Sequence, residues 1–245
     1  MITLKSCPNC GSYKIVFFKA LGDGVIPVEI IKGVNINAQI ITIYNSCASC
    51  HLTFQNPQLS TEELGIYYGS GHYRDSVTKP PEGMDKSEED RARVDSEIIN
   101  KSIGHVGSHL DVGCGSGYLL KLVNADDKVG VDPDVEYIKF DDLEVYKDLS
   151  LVSQKEFDLV TVIHTLEHIP APLKFLKKVT KFVKKGGYLI VEVPSFKTRG
   201  GPFGFFHLNY FEPDVLRLMC RKLGLTPIQT EFTPHLLLIC KKDEK

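Results

Sequence analysis

The sequence predicts an α/β fold, with a mainly parallel sheet of seven strands covered by helices on both faces and a small β-rich domain before it. Three observations support this prediction. After residue 87, apolar runs typical of strands alternate with segments of helical spacing, and such alternation favours a parallel sheet. A glycine-rich turn joins one of these strands to a helix, and two C-x-x-C pairs lie in the β-rich amino-terminal segment.

Length, charge and cysteine usage limit the class of protein. The chain has 245 residues, a formal net charge of -2 and 7 cysteines. This length accommodates one large domain, or one domain with a small appendage. Without an overall basic charge, nucleic-acid binding is disfavoured. No apolar stretch approaches the roughly 18 residues of a membrane span, and we expect no secretory leader. Seven cysteines, four of them in pairs, suit a metal site in a reducing compartment, so the expected location is cytoplasmic.

The segment HLDVGCGSGYLLKL contains the glycine turn. Asp111 ends its strand, Gly113, Gly115 and Gly117 form the turn, and apolar residues at helical spacing follow. Glycine is needed where the backbone takes a positive φ or a ligand approaches closely, and the next helix offers unpaired N–H groups. The dinucleotide fingerprint would have another glycine where this chain has Tyr118. The segment therefore predicts a nucleotide-type pocket that differs from a dinucleotide site.

The stretch from Asp111 to Gly117 resembles motif I of the class I methyltransferases that depend on S-adenosyl-L-methionine (SAM). Three later blocks resemble the following motifs in the same order, namely KVGV ending in Asp132, FDLVTVIH followed by TLEHIP, and KGGYLIVEVP. An acid at the position of Asp132 can bind both ribose hydroxyls. The resemblance extends over residues 87–242 and implies a Rossmann-like fold, bound SAM and methyl transfer.

The resemblance also implies roles for individual residues. Asp111 is assigned to the methionyl amino end of SAM, Asp132 to the ribose and Asp148 to the adenine amino group, while His164 is expected to line the cofactor pocket. The predicted cofactor-binding residues are Asp111, Gly113, Gly115, Gly117, Asp132, Asp148 and His164.

Two histidines are the candidate general bases. His207, in a phenylalanine-rich loop, is ranked first, and His168, which follows Glu167, is ranked second. Histidine titrates close to neutrality, which suits removal of a proton from the methyl acceptor. Structural roles remain open for both, because His168 can fix its own loop and His207 can tie the following helix to its loop.

The paired cysteines predict a structural zinc ion. Each C-x-x-C pair directs two thiolates at one point, and two pairs supply the four ligands of a closed tetrahedral site. A redox pair and unligated cysteines are the alternatives. His51 follows the second pair and is expected at the surface, because four thiolates already complete the coordination. The predicted ligands are Cys7, Cys10, Cys47 and Cys50.

These assignments divide the chain into three parts. Residues 1–59 form a zinc ribbon, residues 60–86 a linker or lid, and residues 87–245 the SAM-binding domain. The linker contains three tyrosines with His72 and Arg74 around two glycines. This aromatic group can close over the ligand, or it can pack the ribbon against the second domain.

Helical spacing predicts two further details. Val94, Ile98 and Ile103 supply the apolar face of the helix before the glycine turn, with its start near residue 87. A later helix with apolar residues from Leu173 onward ends at the glycine pair 186–187. Its other side carries six lysines, and we interpret this side as a solvated outer face.

The predicted function is methyl transfer from SAM to a small metabolite, such as a sugar or quinone-type precursor, at an oxygen atom. One alternative is an RNA methyltransferase that docks its substrate with the ribbon and the lysine face. Another is a module that holds SAM without catalysis and engages a protein partner. The sequence does not indicate the acceptor atom or the oligomeric state, because specificity resides in loops.

Overall fold

A computed structural model describes residues 1–25, 39–69, 88–153, 156–195 and 207–244. The strands are β1 (Ile15–Val25), β2 (Gln39–Cys47), β3 (Thr53–Gln55), β4 (Val106–Val112), β5 (Ala125–Val131), β6 (Glu144–Tyr146), β7 (Phe157–Ile163), β8 (Val183–Pro194), β9 (Asn209–Tyr210), β10 (Leu225–Phe232) and β11 (His235–Lys242). The α-helices are α1 (Thr61–Gly69), α2 (Glu88–Ile103), α3 (Tyr118–Leu122), α4 (Pro172–Val179) and α5 (Pro213–Lys222). Among the helices of these ranges, none has the length and apolar character that a membrane crossing requires.

The larger sheet has seven strands in the order β10-β11-β8-β7-β4-β5-β6. The pairs from β8 to β6 are parallel, and β11 runs antiparallel to both of its neighbours. Apolar residues of α2 and α3 pack on one face of this sheet, and those of α4 and α5 pack on the other. The predicted α/β fold, with helices on both faces of a mainly parallel sheet, is therefore confirmed.

The strand order reverses beside β4, and this reversal positions the site. The chain runs outward from β4 to β5 and β6, and it then returns to place β7 and β8 on the other side of β4. Open α/β sheets bind ligands outside the carboxyl ends of their strands at such a switch point. The glycine turn lies there, directly after β4.

The smaller sheet has the order β1-β2-β3-β9 and is antiparallel. Its first three strands belong to the predicted zinc ribbon, but β9 comes from the chain beyond β8. Thr53 pairs with Tyr210 and Phe54 pairs with Asn209. The Tyr210 ring also meets the Tyr44 ring edge to face, with centroids 5.2 Å apart. The ribbon and the second domain therefore share one sheet, which sequence patterns did not predict.

The predicted linker begins with the helix α1. Ser60 and Glu63 form a capping box, in which the Glu63 carboxylate accepts the Ser60 N–H at 2.7 Å and the Ser60 hydroxyl accepts the Glu63 N–H at 3.2 Å. Tyr67 and Tyr68 of the aromatic group lie in the last turn of α1, whereas His72, Tyr73 and Arg74 lie outside the described residues. The role of this group as a lid therefore stays a prediction.

The buried side of α2 agrees in part with the predicted one. The prediction is confirmed for Ile98 and Ile103, which are partly buried and pack against the apolar core, whereas Val94 is only partly buried. The inward side carries polar residues because part of it faces a cavity rather than the apolar core. The buried residues of α2 are Ala92, Asp95, Ser96 and Ile99.

The predicted end of the later helix is wrong. The helix α4 ends at Val179, a short 3-10 turn follows, and β8 already begins at Val183. The glycine pair 186–187 therefore lies inside β8, where the register against β7 shifts between Phe157 and Leu159. The exposed lysines of α4 confirm the expected solvated face.

Candidate functional site

The glycine turn connects β4 to α3 at the carboxyl edge of the sheet. Gly113, Gly115 and Gly117 have φ angles of 86°, 54° and 87°, a region that other residues rarely adopt. A Cβ on Gly113 would also come within 2.0 Å of Thr165 Oγ1. The Gly113 N–H donates to the carbonyl of Val131 at 2.7 Å. These contacts explain why the turn needs glycine, and they hold it against β5.

Asp132 directly follows β5 and lies beside the glycine turn. The residue is only 6% exposed. One carboxylate oxygen accepts the Gly115 N–H at 2.9 Å, and the other accepts the Asp134 N–H at 3.0 Å. These two bonds fix the carboxylate at the carboxyl edge, next to the turn.

Asp111 lies in β4 and is buried. Thr161 donates to its Oδ1 at 2.7 Å, and His109 Nε2 lies 2.8 Å from the same hydroxyl. Burial is the main cause that raises the pKa of Asp111 to about 7; the Thr161 bond acts against this rise, and the charges of Asp132 and Glu88 add to it. Burial lowers the pKa of His109 to about 3. The neutral His109 therefore donates from Nε2 to Thr161, since the hydroxyl proton goes to Asp111.

A cavity of about 260 Å³ lies outside the carboxyl ends of β4, β5 and β7. The glycine turn, the end of β5, the turn after β7 and one side of α2 enclose it. Its lining residues are Glu88, Arg91, Ala92, Asp95, Asp111, Gly113, Cys114, Gly115, Tyr118, Leu119, Asp132, Pro133, Asp134, Ile163, His164, Thr165, His168 and Ile169. The structure thus brings six of the predicted site residues to one cavity.

Three predicted residues are not among the described residues that line the cavity. Gly117 ends the glycine turn and precedes α3. Asp148 is exposed after β6, and its carboxylate accepts hydrogen bonds from the Ser150 hydroxyl and from the Ser150 N–H, the latter at 2.8 Å, which lower the pKa of Asp148. His207 lies behind His168, and their ring centroids are 5.0 Å apart.

The helix α2 contributes cavity residues that sequence patterns missed. Glu88 Oε1 accepts the Ser116 N–H at 3.0 Å, so the start of α2 is bound to the glycine turn. Burial and the charge of Glu192 raise the pKa of Asp95 to about 8. Asp95 could have been noticed, because it is an acid on the buried stripe of an otherwise amphipathic helix.

A group of histidines and carboxylates surrounds the turn after β7. His164 has a positive φ of 48°, and its Nδ1 lies 3.3 Å from Glu167 Oε1. Burial alone would lower the pKa of His164, but the bonds and charges of Glu167 and Glu192 raise it to about 10. His168 Nε2 lies 3.8 Å from Glu167 Oε1. Burial opposes ionisation of Glu167, but the surrounding histidines lower its pKa to about 2.

The segment that carries His207 is held in place by backbone contacts. The Leu208 N–H donates to the Glu167 carbonyl at 2.8 Å, and the Gln55 N–H donates to the Leu208 carbonyl at 2.8 Å. Asn209 Nδ2 donates to the Ile169 carbonyl at 2.7 Å. The two candidate bases are therefore positioned by the turn after β7 and by β3 of the small sheet.

The four paired cysteines meet in the amino-terminal domain. Cys7 Sγ lies 3.6 Å from Cys50 Sγ, and Cys10 Sγ lies 3.6 Å from Cys47 Sγ. All four sulfur atoms lie within 4.8 Å of one another. Tetrahedral zinc with bonds of about 2.3 Å would separate its sulfur ligands by about 3.8 Å, so the geometry fits zinc. His51 is exposed beside this group, as expected.

A family model, described as the methyltransferase domain, matches residues 85–230 of this chain. The match covers more than half of the sequence, and it includes the glycine turn, Asp132, the turn after β7 and His207. The chain therefore belongs to the methyltransferase domain family.

Two curated relatives carry the name ubiquinone biosynthesis O-methyltransferase. The protein of Hydrogenovibrio crunogenus is 27% identical over 158 residues, which cover 52% of this chain and 63% of the relative. The mitochondrial protein of Candida albicans is 30% identical over 135 residues, which cover 47% of this chain and 40% of the relative. The chain thus spans about half the length of the curated relatives it matches.

Solved structures show the same fold at low identity. The 1,6-didemethyltoxoflavin-N1-methyltransferase of Burkholderia thailandensis, with bound 1,6-didemethyltoxoflavin and S-adenosylhomocysteine, has a TM-score of 0.56 at 16% identity. The match covers 86% of this chain and 98% of that chain. A SAM-dependent methyltransferase from Archaeoglobus fulgidus has a TM-score of 0.52 at 18% identity, and the match covers 64% and 95% of the two chains. The fold is therefore that of SAM-dependent methyltransferases.

Proposed function

We propose that this chain transfers the methyl group of SAM to an oxygen atom of a small metabolite. The observation that carries the proposal is the pair of buried carboxylates, Asp111 and Asp132, which flank the glycine turn at one cavity. The names of the curated relatives support oxygen as the acceptor atom. The net charge of -2 favours a small molecule over a polyanion.

The proposed cofactor contacts follow from the position of each carboxylate. Asp111 binds the methionyl amino end across the glycine turn, and Asp132 accepts hydrogen bonds from the ribose hydroxyls. Asp148 remains the proposed adenine contact, which requires its carboxylate to turn away from Ser150. His164 lines the pocket. SAM supplies an activated methyl group when it is bound, so the protein mainly orients the acceptor and removes its proton.

The proposed base is the pair His207 and His168. Glu167 is an anion beside His168, and this charge stabilises a protonated imidazole after the acceptor has lost its proton. His168 lines the cavity and contacts His207, so a proton taken by His168 can pass to its neighbour. In this arrangement the ranking from the sequence is reversed. His168 is proposed to contact the acceptor, and His207 is proposed to receive the proton from His168 or to orient its ring.

Zinc at the four cysteines is proposed as a structural ion. The four thiolates close its coordination, so it takes no part in methyl transfer. We place the ribbon at residues 1–59, the linker at 60–86 and the SAM-binding domain at 87–245. The seven cysteines form no disulfide in the described part of the chain, and four of them are the proposed zinc ligands, which supports a cytoplasmic, reducing environment.

Binding of S-adenosylhomocysteine tests the cofactor site. Asp132→Ala removes two charge-assisted bonds to the ribose, each contributing about 1.5–3 kcal/mol, and we expect the affinity to fall by at least about 100-fold in titration calorimetry. Asp126→Ala, at an exposed carboxylate, is the matched control and should bind as the unchanged chain does. A nearly unchanged affinity of Asp132→Ala would remove the ribose role.

An RNA substrate is the second candidate, and the exposed lysines of α4 favour it. Binding to RNA would then weaken as salt increases, with a slope set by the number of phosphates contacted. We expect no such binding at physiological salt, because the protein as a whole is slightly acidic.

A further inference from the structure

Three side chains from neighbouring strands meet beside the cavity. His164 follows β7, Glu192 lies in β8 and His235 begins β11. His164 Nε2 lies 3.1 Å from Glu192 Oε1, and the two imidazole rings are nearly perpendicular, with centroids 4.2 Å apart. One ligand atom of each residue lies within 4.8 Å of the others. We name these three residues the His164 cluster.

Ligand atoms of the His164 cluster converge at one point inside the protein. Glu192 is fully buried, and its Oε1 is the atom that lies 3.1 Å from His164 Nε2. His235 Nδ1 is buried and has no hydrogen-bond partner among the described residues. Buried polar atoms are nearly always paired, so this nitrogen beside a buried carboxylate needs an explanation. Lone pairs that converge in this way are what a cation requires.

A second carboxylate increases the negative charge beside the cluster. Asp95, which lines the cavity, is 3% exposed, and the charge of Glu192 acts on it. Two carboxylates buried so close to each other repel unless a proton or a cation lies between them. A protonated His164 offsets part of this charge, but its Nδ1 already contacts Glu167.

The contact between His164 and Glu167 has the form that supports a metal ligand. Glu167 Oε1 lies 3.3 Å from Nδ1, while Nε2 points at Glu192. Histidines that bind a metal usually donate their other ring N–H to a carboxylate, which fixes the ring. His164 also adopts a positive φ of 48°, a strained conformation for a residue with a side chain, and such strain is concentrated at functional sites.

We propose that His164, Glu192 and His235 bind a divalent transition-metal ion, such as Fe²⁺, Mn²⁺ or Zn²⁺, at the border of the cavity. Two histidines with one carboxylate form a set that these ions accept while keeping open positions. Two imidazoles whose nitrogens bind one metal ion at 90° to each other, with bonds of about 2.1 Å, have centroids about 4.6 Å apart. The observed centroid separation of 4.2 Å is close to this value.

A neighbouring group competes for the same ion. Glu167, His168 and His207 also offer ligand atoms within 4.8 Å of one another. The His164 cluster is favoured because Glu167 Oε1 lies against Nδ1 of His164, which is the position of a carboxylate that supports a metal ligand and not of a ligand itself. An ion on the His164 cluster should be lost when His235 is replaced, whereas an ion on the neighbouring group should be lost when His207 is replaced.

The test measures bound metal without SAM or acceptor, so its result is independent of the proposed function. Full-length protein with zinc in the four-cysteine site is titrated with Co²⁺ and with Mn²⁺, and bound metal is counted after dialysis. We expect one ion per chain beyond the cysteine-bound zinc. The added Co²⁺ should show weak visible absorption without the intense near-ultraviolet band of thiolate ligands.

Single variants then identify the ligands. Glu192→Gln and His235→Gln should each weaken the additional Co²⁺ by more than about 100-fold, and Glu167→Gln by about 10–100-fold. His105→Gln, which changes an exposed histidine beside Asp126, should bind as the unchanged chain does. Near-ultraviolet circular dichroism checks that each variant is folded, and His235→Gln is the decisive variant if Glu192→Gln fails to fold because Glu192 is fully buried.

Two outcomes would overturn the proposal. The first is that the unchanged protein binds no ion beyond the cysteine-bound zinc, which would leave the His164 cluster as an ion-pair network. The second is that the additional ion is retained in His235→Gln and lost in His207→Gln, which would place it on Glu167, His168 and His207.

Discussion

Asp111→Asn is expected to stabilise the fold and to weaken cofactor binding. Burial raises the pKa of Asp111 from 3.8 to about 7. Because the folded state holds this proton more tightly than the unfolded state, ionisation destabilises the fold, and the penalty grows as the pH rises from 4 to 7. At about 1.4 kcal/mol per pH unit, the penalty is about 2 kcal/mol at pH 5 and about 4 kcal/mol at pH 8. Asparagine removes the charge and can still accept the bond from Thr161.

Urea unfolding at these two pH values measures the effect. The free energy of unfolding of Asp111→Asn should exceed that of the unchanged chain by more at pH 8 than at pH 5, with a difference of about 2 kcal/mol. Asp126→Asn, at an exposed carboxylate, should change it by less than about 0.5 kcal/mol. The affinity for S-adenosylhomocysteine should fall about 10- to 100-fold, since the amino group loses a charged partner. The same change in the free energy of unfolding at both pH values, or an unchanged affinity, would refute this reasoning.

Three further predictions follow from the same contacts. Gly113→Ala should lower the free energy of unfolding, measured with urea, by about 2–4 kcal/mol. Gly104 has a similar φ but no close neighbour, so Gly104→Ala should lower it by only about 1 kcal/mol. Equal losses in the two variants would contradict the close approach of Thr165. His168→Asn should lower kcat by about 10²–10⁴-fold with cofactor affinity retained, and an unchanged kcat would leave this residue a structural role. Removal of zinc by a chelator should lower the rate of methyl transfer in step with zinc release, because β3 holds the segment that carries His207. Binding of S-adenosylhomocysteine should be retained. Full activity without zinc would show that the zinc ribbon does not support the catalytic residues.

The larger sheet could be predicted from local sequence because each strand carries its own signal. The glycine turn and the acid after β5 are both defined by residues that are neighbours in the chain. The same reasoning failed where tertiary contacts decided the structure. The glycine pair 186–187 resembles a helix end, but the pairing of β8 with β7 extends the strand through it. The short strand β9 has no local signal, because only β3 makes it a strand.

The residues that line the candidate site could be predicted from the sequence, but the residues that hold them in place could not. Asp111, Asp132 and the glycine turn follow from the motif, and the structure brings them to one cavity. His109 and Thr161 could not be assigned, because their contacts with Asp111 depend on the register of β4 and β7. Glu192 did carry a signal, since it is an acid within the buried run of β8.

The measurement that tests the central claim most directly is transfer of a labelled methyl group from SAM into a host-cell extract that is then separated into small metabolites, RNA and protein. We predict label in the small-metabolite fraction with the unchanged chain and its loss with Asp132→Ala. The acceptor can then be isolated by its increase in mass. Label in RNA would instead support the RNA alternative. Absence of label from every fraction, with S-adenosylhomocysteine still bound, would contradict the assignment of this chain as a methyltransferase of small molecules.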